Sequence, residues 1–172
     1  MDPTVPQPGT GAEGGKPVQN ELRELGVFSM LKSDELSKIV EMSEEVVFAA
    51  GERIIEEGRP TESLYVVLDG SVVVGKKEKA TLRIDKGGLI GELSFVDSGL
   101  PSADVWAGEG ARLMRVPFDS FRHLVATDRN IAYWIHTSLL NILCRKIRDT
   151  SELLFRHGIE PDRVSESRVS YL

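Results

Sequence analysis

The sequence predicts a mainly β protein: an antiparallel β-roll, or jelly roll, with N-terminal helices and a long C-terminal helix. Three observations predict it. Between Glu44 and Pro117, short runs rich in Val, Ile and aromatic residues alternate with glycine-containing turns at close spacing. No helix-length pattern separates those runs, which excludes a doubly wound parallel sheet. After Asp128, the stretch Arg129–Arg156 holds neither proline nor glycine, enough for roughly seven helical turns.

Taken in order, residues 1–18 carry Pro3, Pro6, Pro8 and Pro17 with Gly9, Gly11, Gly14 and Gly15, and read as a disordered tail. The domain proper is expected over residues 19–127. It opens with a short helix over Asn20–Phe28, where Leu22, Leu25 and Phe28 recur at three-residue steps. Ser33 is the expected N-cap of a second helix, with Asp34 and Glu35 suiting its positive end and Leu36, Ile39 and Val40 forming its apolar stripe. Strands then follow around Val46 and Phe48, Ile54 and Ile55, and Leu64–Leu68, with turns at Gly51-Glu52 and Gly58-Arg59-Pro60. Asp69-Gly70 reads as a hairpin turn before Ser71–Val74. Lys76–Lys79 reads as a solvated charged turn, Ala80–Ile84 as the next strand and Arg112–Val116 as the last.

Asp119–Val125 reads as a helix, and Asp128 as the N-cap of the long one. Residues 128–158 are assigned to that helix, and 159–172 to a polar tail beyond Gly158 and Pro161. Two stripes run along the helix. Ile131, Ile135, Leu139 and Ile142 or Leu143 can pack on the roll. Leu140, Cys144, Ile147, Ser151 and Leu154 follow coiled-coil spacing. That seam predicts a homodimer through residues 130–156; packing against the chain's own N-terminal helices is the alternative.

The chain's formal net charge of −6 gives no general attraction to nucleic acid or an anionic membrane. Its one cysteine, Cys144, excludes an internal disulfide and a cysteine zinc site. No apolar run approaches the roughly 18 residues of a membrane helix, so a cytoplasmic location is expected. The histidines, His123, His136 and His157, lie outside the strands and lack acidic partners at ligand spacing. No GxSxG-type nucleophile motif is present. The expectation is no enzyme, no metal and no cofactor. The tail after the long helix is too short for a helix-turn-helix, so no DNA-binding domain is expected, and Arg145–Arg148 reads as a solvated helix face.

The most informative stretch is Gly87–Ala107, GGLIGELSFVDSGLPSADVWA. A short helical turn beginning after Gly91 offers backbone N–H groups without internal partners, and glycine lets an anion approach closely. Glu92 places one carboxylate beside those donors, where it would repel a phosphate but accept from a sugar hydroxyl. A nucleotide satisfies both demands.

Gly91-Glu92-Leu93-Ser94-Phe95 with Ser102-Ala103 and Val105 resembles the phosphate-binding cassette of the cyclic nucleotide-binding domain family. The similarity extends from about Phe28 to about Leu154, through Gly51-Glu52, Gly58 and Leu64–Val72. The resemblance implies a non-enzymatic sensor or regulatory protein for cAMP or cGMP, acting on an unidentified protein partner. It implies that the amides of Gly91, Leu93 and Ser94 face the phosphate, with Glu92 on the ribose 2′-hydroxyl. Ser102 and the Ala103 N–H would complete the phosphate contacts. Arg145–Glu152 is similar to the long helix of the catabolite-activator branch, which implies that Thr150 and Ser151 touch the purine edge. Asp104 is expected to point outward, and Glu92 could instead pair with Arg112 or Arg115.

One residue departs from the family. An arginine that pairs with the phosphate usually precedes the Ser-Ala pair, and Pro101 stands there. Losing one charge-assisted hydrogen bond removes about 1.5–3 kcal/mol, or roughly 10- to 100-fold in affinity. The alternatives are a ligand-free interaction module of the same fold, or a binder of another nucleotide such as a cyclic dinucleotide.

Overall fold

The computed structural model describes residues 15–76 and 79–156. Most of the predicted tail 1–18, the middle of the charged turn at Lys76–Lys79 and the polar tail 159–172 lie outside the described residues. The elements are α1 (Gly15–Glu24), α2 (Ser33–Glu41), β1 (Glu44–Phe48), β2 (Arg53–Ile55), β3 (Ser63–Lys76), β4 (Lys79–Asp85), β5 (Leu89–Ile90), α3 (Glu92–Asp97), β6 (Asp104–Pro117), α4 (Phe118–Thr127) and α5 (Arg129–Arg156). This is an antiparallel β-sheet fold with N-terminal helices and a long C-terminal helix, as the patterning predicts.

The sheet is built on two 14-residue strands, β3 and β6. Its order is β1-β6-β3-β4, with β2 added to β6 and β5 to β3, and every pairing is antiparallel. Two cores result. Ile55, Val67, Val72, Ile90, Val105, Ala107, Ala111 and Leu113 fill the space between the strands. The larger core joins the other sheet face to the helices, with Leu22, Phe28, Leu36 and Ile39 meeting Phe95, Phe118, Phe121, Ile131, Ile135 and Leu139.

Four local expectations change. Helix α1 begins at Gly15, inside the stretch assigned to the tail; Pro17 falls in its first turn, where a missing N–H costs no bond. Ser33 is the first helical residue of α2, not its cap. Lys32 occupies the cap position, and the Lys32 N–H donates to Glu35 Oε2 at 2.8 Å.

Asp69-Gly70 is not a hairpin turn. β3 runs straight through it, and the register against β6 shifts on either side. Gly70 takes φ +74°, and a Cβ there would collide with the carbonyl of Gly110 in β6. The glycine serves a bulge with close backbone approach. The last strand, expected over Arg112–Val116, begins much earlier: β6 runs unbroken from Asp104 to Pro117.

Helix α5 spans 28 residues from its cap at Asp128. Asp128 Oδ1 accepts from the Asn130 and Ile131 N–H groups at 3.1 and 3.2 Å. Ile131, Ile135 and Leu139 are buried as expected, and Ile142 packs beside them. Leu140 and Ile147 of the seam are 63% and 65% exposed, and Cys144 and Ser151 are also exposed. These four therefore do not pack on the N-terminal helices, which removes that alternative for them. The Leu154 side chain lies outside the description.

Candidate functional site

The site is organised by α3, six residues long. Gly91 caps it with φ +83°, a left-handed conformation that favours glycine. A Cβ at Gly91 would stand 2.8 Å from the Ser63 carbonyl oxygen and 3.7 Å from Ile55 Cδ1. Glycine therefore lets α3 seat directly on β3. The helix turn closes where the Phe95 N–H donates to the Gly91 carbonyl at 3.1 Å. The amides before Phe95 precede that first intrahelical bond and retain their donors.

Glu92 and Ser94 are buried, whereas Leu93 is exposed. Ser102 is exposed and Ala103 half-buried. They lead into β6 just before Val105, which pairs with Ile55 beside Gly91. The Pro101 carbonyl accepts from the Gly58 N–H at 2.9 Å, tying this end of the cassette to the loop after β2. Asp104 is half-buried rather than simply exposed, and its Oδ1 accepts from the Glu57 N–H at 3.0 Å.

The far end of α3 is held differently. Arg122 of α4 lies over the rings of Phe95 and Phe118, at 5.4 and 5.2 Å from their centroids. Its Nη2 donates to the Phe95 carbonyl at 3.0 Å. A cation at the carbonyl end of a helix is electrostatically favourable, and the ring faces add to that attraction.

Glu92 pairs with neither Arg112 nor Arg115. Arg112 meets Glu21 and Glu45 at 2.8 and 3.1 Å, and Arg115 lies against Glu44. The partner is Lys146 of α5, whose Nζ stands 2.5 Å from Glu92 Oε1 and 3.5 Å from the Leu89 carbonyl oxygen. Glu92 is only 3% exposed. A buried carboxylate without a partner is costly, so this ammonium stabilises the charged side chain where it stands.

Lys146 is the residue the sequence reading missed, for it lay in the run taken as solvated. One signal pointed to it: Lys146 precedes Thr150 by one helical turn and so shares its helix face. Thr150 and Ser151 are exposed within this chain, and the Thr150 hydroxyl donates back to the Lys146 carbonyl at 2.7 Å. The structure thus gathers Gly91, Glu92, Leu93 and Ser94 on α3 and brings Lys146 to them, while Thr150 and Ser151 lie farther along α5. Among the described residues no group of His, Cys, Asp and Glu could hold a metal ion, and no helix is long and apolar enough to cross a membrane.

Comparison with known proteins gives the same outline. Residues 45–128 match the family profile described as the cyclic nucleotide-binding domain. A cAMP-dependent protein kinase regulatory subunit from Hypocrea atroviridis is 32% identical over 107 residues, covering 62% of this chain and 23% of that protein. A CRP-like cAMP-activated global transcriptional regulator from Mycobacterium tuberculosis strain H37Rv is 24% identical over 138 residues, covering 77% of this chain and 60% of that protein. The chain thus spans less than two thirds of either relative. A crystal structure of a cyclic nucleotide-binding domain from Methylobacillus flagellatus superposes with a TM-score of 0.74 at 20% identity, covering 82% of this chain and 84% of that one.

Proposed function

We propose that the protein, whose residues 45–128 match the profile of the cyclic nucleotide-binding domain, binds a cyclic nucleotide, cAMP or cGMP, as a non-enzymatic sensor. The observation that carries this reading is the buried Glu92 carboxylate at the start of α3, directly after the left-handed Gly91. A carboxylate placed among free amides suits a ligand that presents a hydroxyl and an anion close together. The α3 amides take the phosphate oxygens, Glu92 accepts from the ribose 2′-hydroxyl, and Ser102 with the Ala103 N–H closes the far side. Both curated relatives described above are cAMP proteins by name.

Helix α5 is the output in this reading. It meets the pocket through Lys146 and carries an apolar row, Tyr133, Leu140 and Ile147, each at least 60% exposed. The row recurs every seven residues, which suits pairing with the same helix of a second copy. Thr150 and Ser151 would then approach the base from α5. A ligand that contacts Glu92 differently in two positions of α5 shifts the balance between them.

Calorimetry with cAMP and with cGMP tests the proposal. Saturable heat is expected for at least one, with affinity reduced about 10- to 100-fold in Glu92→Ala, the loss of one hydrogen bond to a charged group. No heat at millimolar nucleotide overturns the sensor. It would favour a ligand-free interaction module in which the Glu92–Lys146 pair is purely structural.

A further inference from the structure

The segment Gly87–Ala107 contains no lysine or arginine, so the charge of a bound phosphate must be met from elsewhere. We infer that Lys146, carried on α5, is the cation of the nucleotide site and fills the charge-pairing role that Pro101 leaves open. This rests on the cyclic nucleotide reading and names the residue that makes it electrostatically workable.

Four other cations have partners of their own. Arg122 holds the carbonyl end of α3. Arg112 is shared between Glu21 and Glu45. Arg53 stands between Glu56 and Asp104, and Lys76 meets Glu57 at 2.8 Å. Among the described residues, Lys146 is the cation that meets the Glu92 end of the helix.

Its geometry leaves it a donor to spare. An ammonium has three N–H groups. One is aimed at Glu92 Oε1 and one at the Leu89 carbonyl oxygen, which leaves the third. The Lys146 side chain is 34% exposed while that of Glu92 is 4% exposed, so the lysine is the solvent-facing member of the pair and the carboxylate the covered one. Glu92 Oε2 accepts from no protein group among the described residues and remains for a sugar hydroxyl.

Lysine and ligand can therefore share the carboxylate. The ammonium cancels the carboxylate charge that would otherwise repel a phosphate, and its third N–H reaches the phosphate itself. A helical arm thereby becomes part of the binding site, which links ligand capture to its position.

The test compares cAMP with adenosine, which has the ribose and base but no phosphate, by calorimetry on the full chain. Wild type should prefer cAMP. Lys146→Met should lose about 10- to 100-fold in cAMP affinity while adenosine affinity changes less than about threefold. Lys146→Arg should restore the preference, and added salt should weaken cAMP binding more in wild type than in Lys146→Met. Lys146→Gln, which can still donate to Glu92, provides a second neutral variant should methionine compromise folding.

An unchanged cAMP-to-adenosine ratio in the neutral variants, or equal losses for both ligands, overturns the inference and leaves the lysine a structural partner. Tighter cAMP binding overturns it too, by showing that the lysine competes with the sugar. Failure of wild type to bind cAMP and cGMP defeats the cyclic nucleotide reading itself, and this inference with it. Wild-type binding with an unchanged ratio defeats this inference alone.

Discussion

The two halves of α5 obey different physics. The first half is anchored. Ile131, Ile135 and Leu139 are buried in the main core, Asp128 caps the helix and pairs with Lys38 of α2 at 2.8 Å, and Asn130 donates to Glu35 of the same helix. The second half exposes Leu140, Cys144 and Ile147 and meets the cassette through one charged contact, Lys146 with Glu92. In the proposed sensor, a base held by apolar burial would supply stability and an arm held by an ion pair would supply response. Burial is insensitive to a small ligand, whereas a single ion pair can be altered by one hydroxyl and one phosphate.

The sharpest way to break this contrast is to remove equivalent side chains from the two halves. Ile135→Ala should destabilise the protein by about 2–5 kcal/mol in urea unfolding, the usual range for emptying a closed core site. Ile147→Ala, at a site 65% exposed, should change monomer stability by less than about 0.5 kcal/mol. Comparable losses at the two positions would show that the arm is packed as firmly as the base.

A smaller effect on stability but a clear one on assembly is expected from Leu140→Glu combined with Ile147→Glu. Sedimentation of the wild type should show a dimer that the double variant converts to monomer, because like charges would face each other along the seam. A monomeric wild type, or a dimer that survives the change, would reassign the exposed row. Since these residues project away from the main core, the variant should keep the wild-type unfolding signal at low protein concentration.

The same contrast explains what could be read from the chain alone. The anchored half was legible because Ile131, Ile135 and Leu139 repeat at helical spacing, and periodicity is how burial writes itself into a sequence. Gly91 and Glu92 were legible because their signal is local: a glycine followed directly by a carboxylate opens the short helix α3. Lys146 was not, since its partner lies 54 positions away and no local pattern marks that pairing. Asp69-Gly70 misled for a related reason. The dipeptide favours a tight turn, but the reason for its glycine is Gly110 across the sheet, which only the pairing of β3 with β6 reveals.

The smallest expected effect concerns the contact between α2 and the base of α5, where Lys38 meets Asp128. The Lys38 hydrogen bond, followed by the Ile131 amide, holds the Asp128 carboxyl below its usual value, and Asp128 in turn raises Lys38. A carboxyl depressed on folding contributes stability above its unfolded pKa of about 3.9, and loses it as pH falls through the lower folded value. A raised lysine contributes below its unfolded value of about 10.4 and loses that contribution as pH rises through the folded one. The pair therefore acts in full between roughly pH 4 and 10. Thermal melts of wild type and Lys38→Met should differ by a small, constant amount across that window, and the difference should close as Asp128 gains its proton. The contact is exposed, so moderate salt should shrink the difference as well. A gap that persists well into acid, with the carboxyl already neutral, would mean that the lysine acts through its aliphatic stem on α2 rather than through charge. That contact would then be apolar like the rest of the base, and Lys146 would remain the charged contact that distinguishes the arm.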